Sequence, residues 1–276
     1  MCTIITVANQ KGGVGKTTTA YNLGYALVEQ GKNVLLVDFD PQANMTMCFG
    51  IDNPDTITPS ISELLTMVID GKEMPSDKYV YIHQKKMCAF DQEVIPSEIL
   101  AVGGRLDIIP SNISLTLAEV NMRDEMGREH MLSQILELHR SQYDYCIIDT
   151  NPSLGLLTVN ALAACDKVIV PVSSALWSAT GLQALIGNIY KVKQKLNPRI
   201  EIMGILLTIC DERTKIFKEV KDLIGDTYGS IKIFETTIPQ TVKVQESNYS
   251  NQSIIEYNPA SKAAIAYRNL SKEILM

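Results

Sequence analysis

The chain has 276 residues, 46% of them hydrophobic and 20% charged, with a formal net charge of −6. A chain of this length buries a substantial apolar core without disulfides or structural metals, and its acidic balance argues against a constitutively basic nucleic-acid binder while leaving room for a local basic patch. Six cysteines without a CxxC pair, and only three histidines, argue against a zinc finger or a disulfide scaffold. No apolar run reaches the roughly eighteen residues of a membrane span. The stretch Cys2–Ala8 runs straight into a lysine and a glycine cluster with no positive region before it, so no secretory leader is expected. Free thiols suit a reducing cytoplasm.

In chain order, residues 3–8 (TIITVA) form a β-branched run that predicts a strand. A glycine-rich turn follows, then a helix over 17–30 with Ala20, Leu23, Gly24 and Leu27 on one face, ended by Gly31. Residues 33–37 (NVLLV) read as a strand buried on both faces of a parallel sheet. Further strands are expected at 106–109, 143–148, 167–171, 202–209 and 231–234, with helical segments near 117–139, 155–164, 180–196, 214–228 and 260–275. This alternation predicts an α/β fold: a mostly parallel central sheet flanked by helices on both faces. Residues 52–105 break the rhythm with four prolines and no buried-strand run. They read as a partly helical insertion, with 60–70 the best helix, on a single domain spanning 1–276. Charge is uneven: 52–98 carries four basic and nine acidic residues, whereas 191–199 carries Lys191, Lys193, Lys195 and Arg199 and no acid.

The chemistry concentrates at Gly12–Thr17 (GGVGKT). The strict phosphate loop G-x-x-x-x-G-K-[ST] would have a glycine where Gln10 stands, so this is a deviant form. Its logic survives. Glycines let backbone N–H groups close around a phosphate, the helix N-terminus adds positive potential, Lys16 reaches the β- and γ-phosphates, and Thr17 can hold Mg²⁺. The G-x-G-x-x-G of dinucleotide folds is missing. Asp38 and Asp40 follow the second strand, and Asp149 follows the strand over 143–148. Carboxylates there sit at the crevice where α/β proteins bind ligands. Asp149 is the natural Walker B group, acting on Mg²⁺ directly or through water, and one of Asp38 and Asp40 is suited to orienting the attacking water.

With these motifs in hand, the chain resembles the ParA-type (Soj-like) partition ATPases, within a wider class that includes MinD and the nitrogenase iron protein. The resemblance is carried by Lys11–Thr18 (KGGVGKTT), Asp38–Gln42 (DFDPQ), Ile109–Pro110, Ile147–Leu162, Gly204–Thr214, Glu235–Ser247 and Tyr257–Leu275, and so spans essentially the whole chain. It implies ATP and Mg²⁺ as cofactors, with Gly12, Gly13, Val14, Gly15 and Thr18 joining Lys16 and Thr17 around the nucleotide. Lys11 is similar to the signature lysine that crosses the interface of an ATP-sandwich homodimer. Asp40 is similar to the switch aspartate beside water and metal, and Asp149 to the Walker B residue. The segments near Thr208–Asp211 and Ile238–Pro239 are similar to those that hold the adenine.

The chain departs from the family at two places. Asn151 stands where the family's D-x-P-P has its first proline. Gln240 stands where an arginine linked to non-specific DNA binding is usual, although Lys243 matches a basic position nearby. The resemblance implies a cytoplasmic, nucleoid-associated DNA-segregation ATPase with a centromere-binding ParB-like partner and non-specific DNA contacts, for which Lys191, Lys193, Lys195, Arg199 and Lys243 are the candidates. The same lysines also suit a solvated helix face. A positioning or regulatory adaptor that binds protein and scarcely touches DNA is the competing reading. No membrane anchor is expected, and no cysteine lies in 149–160 to hold an iron–sulfur cluster.

Overall fold

The computed structural model describes residues 2–74, 81–82, 104–173 and 179–276. Its centre is a seven-stranded sheet built from β1 (Thr3–Val7), β2 (Val34–Phe39), β3 (Tyr81–Ile82), β4 (Leu106–Ile109), β5 (Tyr145–Thr150), β6 (Lys167–Ser173) and β7 (Glu201–Thr208), in the order β3-β4-β2-β5-β1-β6-β7. Every pairing is parallel except that of β3, a two-residue antiparallel edge. The chain winds outward from β1 in both directions, which opens a crevice at the carboxyl ends of the central strands.

Helices cover both faces because the strands alternate their side chains between two apolar cores. Leu35, Val37, Ile148 and Val170 meet α3 (Ile61–Ile69), α5 (Met131–Glu137), α6 (Leu156–Ala164) and α7 (Ala179–Lys195) on one side. Leu36, Ile108, Ile147 and Ile169 meet α1 (Lys16–Glu29) and α11 (Lys262–Leu275) on the other. Helix α1 is buried nearly all round, so its polar Thr19 and Asn22 lie inside too. It approaches the sheet closely at Gly24, where a Cβ would stand 2.8 Å from the Leu36 side chain. Arg268 on α11 binds both carboxylate oxygens of Glu29 on α1, at 2.6 and 2.8 Å, clamping the two helices.

Three expectations change. Residues 231–234 form no strand: they make a single bridge, Ile205 to Ile233, and the chain continues along β7 with isolated hydrogen bonds, such as the Ile238 N–H to the Leu207 carbonyl. The helix near 117–139 is broken into α4 (Leu115–Asn121), two single turns and α5, with Gly127 at φ 70 between them. The C-terminal third adds α8 (Lys215–Thr227), as expected, and two helices that periodicity does not reveal, α9 (Val242–Tyr249) and α10 (Ile254–Tyr257). These two start at Thr241 and Ser253, whose hydroxyls accept from backbone N–H groups. Another short helix, α2 (Asn44–Cys48), follows β2. Of the expected insertion at 52–105, a single helical turn at Pro54–Thr56, α3 and β3 are seen; 75–80 and 83–103 lie outside the described residues.

Candidate functional site

The loop between β1 and α1 is braced from two strands that are distant in sequence. The Asn9 amide donates to the Pro171 carbonyl at 2.6 Å and its oxygen accepts from the Lys11 N–H at 3.0 Å, which ties the start of the loop to β6. The Thr208 hydroxyl donates to the Val14 carbonyl at 2.8 Å, which ties its middle to β7. Gly13 (φ 73) and Gly15 (φ 81) take the left-handed conformation that the reversal into α1 requires.

Helix α1 carries no side-chain cap, as α2, α4, α5 and α6 do not, whereas α3, α8, α9, α10 and α11 do. Its first N–H groups and its positive dipole end therefore face the loop, the arrangement that receives a phosphate. Lys16, the first residue of α1, is only 7% exposed, and its ammonium donates to the Lys11 carbonyl at 3.2 Å. Burial draws its pKa down, while Asp149 and Asp40 pull it up.

Register places the carboxylates. Asp38 on β2 pairs with Asp149 on β5, which also faces Val7 on β1, so both acids stand at the carboxyl ends of adjacent strands beside the loop. Their environments differ. One oxygen of Asp38 accepts from the Thr46 N–H (2.8 Å) and hydroxyl (2.7 Å), and the other accepts from the Asp40 N–H (3.3 Å). Burial still pushes Asp38 up to about 6. Asp38 is thus a buried peg that holds the turn after β2 and is spent on that task. Asp149 is fully buried and neither of its oxygens has a hydrogen-bond donor among the described residues. Burial and the Asp38 charge raise its pKa well above the carboxylate range against the opposing pull of Thr17 and Lys16.

An unpartnered buried carboxylate beside a threonine hydroxyl offers oxygen ligands that fit a hard divalent cation, while the Lys16 ammonium is left to the phosphates. No cluster of three or more His, Cys, Asp or Glu suited to a metal occurs among the described residues. The fit is therefore to Mg²⁺ shared with phosphates and water, as Mg²⁺ usually is, and not to an all-protein cage.

A cavity of ≈ 360 Å³ runs from this loop, walled at one end by Gly12, Gly13, Gly15, Lys16, Thr17 and Thr18, with Asp40 and Asn44 alongside. Thr208, Ile238, Pro239, Gln240, Tyr267 and residues of α9 complete its wall, with Thr208 held against the loop at Val14. Val14 is buried behind the loop. Lys11 is half-buried and is not among the residues that wall the cavity.

Asp211 is not brought into this cavity. It faces a neighbouring cleft, held by the Arg213 guanidinium at 2.9 and 2.8 Å, which draws its pKa down to about 2. Asn151 joins a small network, accepting from the Ser153 and Thr158 hydroxyls at 3.2 and 3.3 Å, just before α6.

The basic candidates lie apart from the pocket, on and just past the end of α7. Lys191, Lys195 and Arg199 are exposed, while Lys193 donates to the Ile200 carbonyl at 2.9 Å. Lys243 is in the first turn of α9 and pairs with Glu246 at 2.7 Å. Sequence reasoning did not find Asn9, Asn44 or the α9 wall. Asn9 precedes the glycines as one more polar loop residue, and α9 has too weak an apolar periodicity to be seen.

A family model described as an AAA domain matches residues 2–202. The chain is 38% identical over 275 residues to the sporulation initiation inhibitor protein Soj of Bacillus subtilis, covering 98% of this chain and 97% of that one. It is 37% identical over 272 residues to the chromosome partitioning protein ParA of Myxococcus xanthus, covering 99% of this chain and 87% of that one. Among solved structures, it is similar to cobyrinic acid a,c-diamide synthase from Mycobacterium smegmatis with a bound ATP analogue and magnesium. The TM-score is 0.79 and the identity 33%, over 100% of this chain and 95% of that one.

Proposed function

We propose that this chain, which belongs to the ParA, Soj, MinD and McdA family of deviant Walker A P-loop ATPases, is a DNA-segregation ATPase switched by Mg·ATP. At family level the activity is that of an ATP-dependent partition or positioning ATPase, with ATP and Mg²⁺ as cofactors. The observation that carries the reading is Asp149, a fully buried carboxylate without a donor, set beside Lys16 and Thr17 at an uncapped helix N-terminus.

The loop amides and Lys16 would hold the phosphates, and Thr17 and Asp149 the magnesium, with Asp40 near enough to contribute. Magnesium, when bound, neutralises charge on the phosphate oxygens. Asp40 lies in the pocket wall with one oxygen engaged by the Gln42 N–H at 2.9 Å, and is suited to orienting water at the γ-phosphate. Lys11 would reach the phosphates of a second copy, so that ATP promotes a sandwich homodimer. The dimer would double the basic surface of Lys191, Lys193, Lys195 and Arg199 and so raise affinity for duplex DNA, because non-specific affinity scales with the number of phosphates neutralised. Hydrolysis, stimulated by a centromere-binding ParB-like partner, would reset the cycle. Cytoplasmic and nucleoid residence goes with this reading; no helix among the described residues is long and apolar enough to cross a membrane.

A second reading, a protein-binding positioning adaptor, is favoured by the engagement of Lys193 and Lys243 within the chain and by Gln240. One experiment separates them: a mobility titration of duplex DNA at low salt with the Asp40→Ala protein held in ATP. Segregation predicts retention in the low micromolar range, lost steeply as salt rises. Changing Lys191, Lys193 and Lys195 to alanine should weaken it, and Gln240→Arg should strengthen it. No retention by a protein shown to be dimeric in the same sample would overturn the DNA reading in favour of the adaptor.

A further inference from the structure

We propose that Asn9 is the positioning residue for Lys11: it fixes the peptide from which that lysine reaches a second copy of the chain, and so sets the affinity of the ATP-bound dimer. The inference rests on the reading of Lys11 as a lysine that crosses between copies.

The ladder between β1 and β6 closes on a side chain. Val7 stands opposite Ile169, and the Ala8 N–H donates to the Ile169 carbonyl at 3.1 Å. Two residues further along β6, Pro171 turns the same backbone edge toward β1 but has no N–H to give. Its carbonyl would take the N–H of residue 10 if β1 ran on. The Asn9 amide takes that place, at 2.6 Å, so the main chain leaves the sheet without orphaning the carbonyl.

The same carboxamide then holds Lys11. Its oxygen accepts from the Lys11 N–H at 3.0 Å. The Pro171 carbonyl can only accept and the Lys11 N–H can only donate, so one orientation of the Asn9 amide serves both. The Lys11 carbonyl in turn accepts from the Lys16 ammonium at 3.2 Å. The Lys11 backbone is thus held on both sides, by the sheet through Asn9 and by α1 through Lys16. Asn9 is only 8% exposed, so its two bonds are shielded from water.

A side chain that starts from a fixed peptide has fewer conformations to lose when it docks across an interface. Asn9 makes that saving for Lys11. The residues that wall the nucleotide cavity begin after Lys11, at Gly12, and the loop there has its own brace in the Thr208 hydroxyl on the Val14 carbonyl. Loss of Asn9 therefore acts on the lysine more than on the nucleotide.

The test is a double-mutant cycle on assembly. In an Asp40→Ala background with Mg·ATP, dimer dissociation constants are measured by sedimentation for the parent, Asn9→Ala, Lys11→Ala and the pair. Calorimetry gives the ATP affinity of each, and melting establishes that each is folded. Asn9→Ala should weaken the dimer about tenfold, the range of one or two neutral hydrogen bonds, and ATP by less than about threefold. In the Lys11→Ala background the same change should weaken the dimer by less than about twofold. Asn9→Asp keeps the acceptor for the Lys11 N–H and loses the donor to the Pro171 carbonyl. It should show the same dependence on Lys11, and it carries the cycle if Asn9→Ala does not fold. Equal losses of dimer affinity with and without Lys11, or no loss at all, would overturn the proposal while leaving the crossing lysine intact. A dimer indifferent to Lys11→Ala would overturn both.

Discussion

The hydroxyl of Thr208 donates to the carbonyl of Val14 at 2.8 Å, joining the last strand of the sheet to the phosphate loop across 194 residues of sequence. Removing the donor leaves the Val14 carbonyl unpaired in a buried place. Thr208→Val should therefore cost about 1–3 kcal/mol of stability, read as a shift in urea midpoint, and weaken ATP as the loop loosens. Thr208→Ser should restore both. A Thr208→Val protein equal to the parent in both measurements would show that the loop needs no brace from β7.

Asp40 and Asp38 should separate under substitution, because the fold gives them different work. Asp40→Ala should keep Mg·ATP binding within about threefold and reduce turnover by roughly two orders of magnitude, the range for a group acting on the proton or water of the reaction. Asp38→Ala should lower thermal stability, because the Thr46 hydroxyl and N–H and the Asp40 N–H lose their common acceptor. Phosphate-release assays and melting curves on the two variants check this; equal turnover in Asp40→Ala and the parent would reassign the water-orienting task.

Much of this was legible in the sequence where one residue type has one physical use. Gly12–Thr17 after a β-branched run predicts the loop and the start of α1, and the apolar runs at 33–37, 143–148 and 167–171 predict three buried parallel strands. The division of labour between Asp38 and Asp40 was not legible, because it depends on Thr46, which α2 brings back over the end of β2. Residues 231–234 have strand-like composition, yet only Ile233 bridges the sheet edge, and the Phe234 ring packs against β7 where Gly204 has no side chain. Part of the pocket wall comes from α9, a largely polar segment without a helical stripe, so only its threonine cap announced it.

Lys11 should matter for assembly and little for nucleotide affinity. It is half-buried and lines no part of the cavity wall. Lys11→Ala in an Asp40→Ala background should bind ATP within about threefold of its parent and lose at least tenfold in dimer affinity, since a desolvated charge pair across an interface is lost with it. Light scattering in ATP that finds equal dimer fractions with and without Lys11 would rule out a crossing lysine.

The thiols supply a pH test. Burial pushes Cys2 up to about 11 and Cys48, Cys165 and Cys210 up to about 12, so at pH 8 each is held as the neutral thiol. Because the thiolate is the nucleophile, native labelling in a Cys88→Ser background should run roughly a hundredfold or more slower than labelling of the urea-unfolded chain, and should rise with pH between 8 and 10. Fast labelling at pH 8 of any of these four, identified by peptide mapping, would contradict their burial.

The most direct test of the central claim is a calorimetric titration of ATP into the parent, Lys16→Ala and Asp149→Asn proteins, each with and without Mg²⁺. A Mg·ATP switch predicts that the parent binds more tightly with Mg²⁺. Lys16→Ala should lose about ten- to hundredfold in affinity with or without the metal, the range of a charge-assisted hydrogen bond. Asp149→Asn should lose only the increment that Mg²⁺ supplies. Equal affinity for ATP in the parent and Lys16→Ala, or a magnesium increment untouched by Asp149→Asn, would contradict the claim.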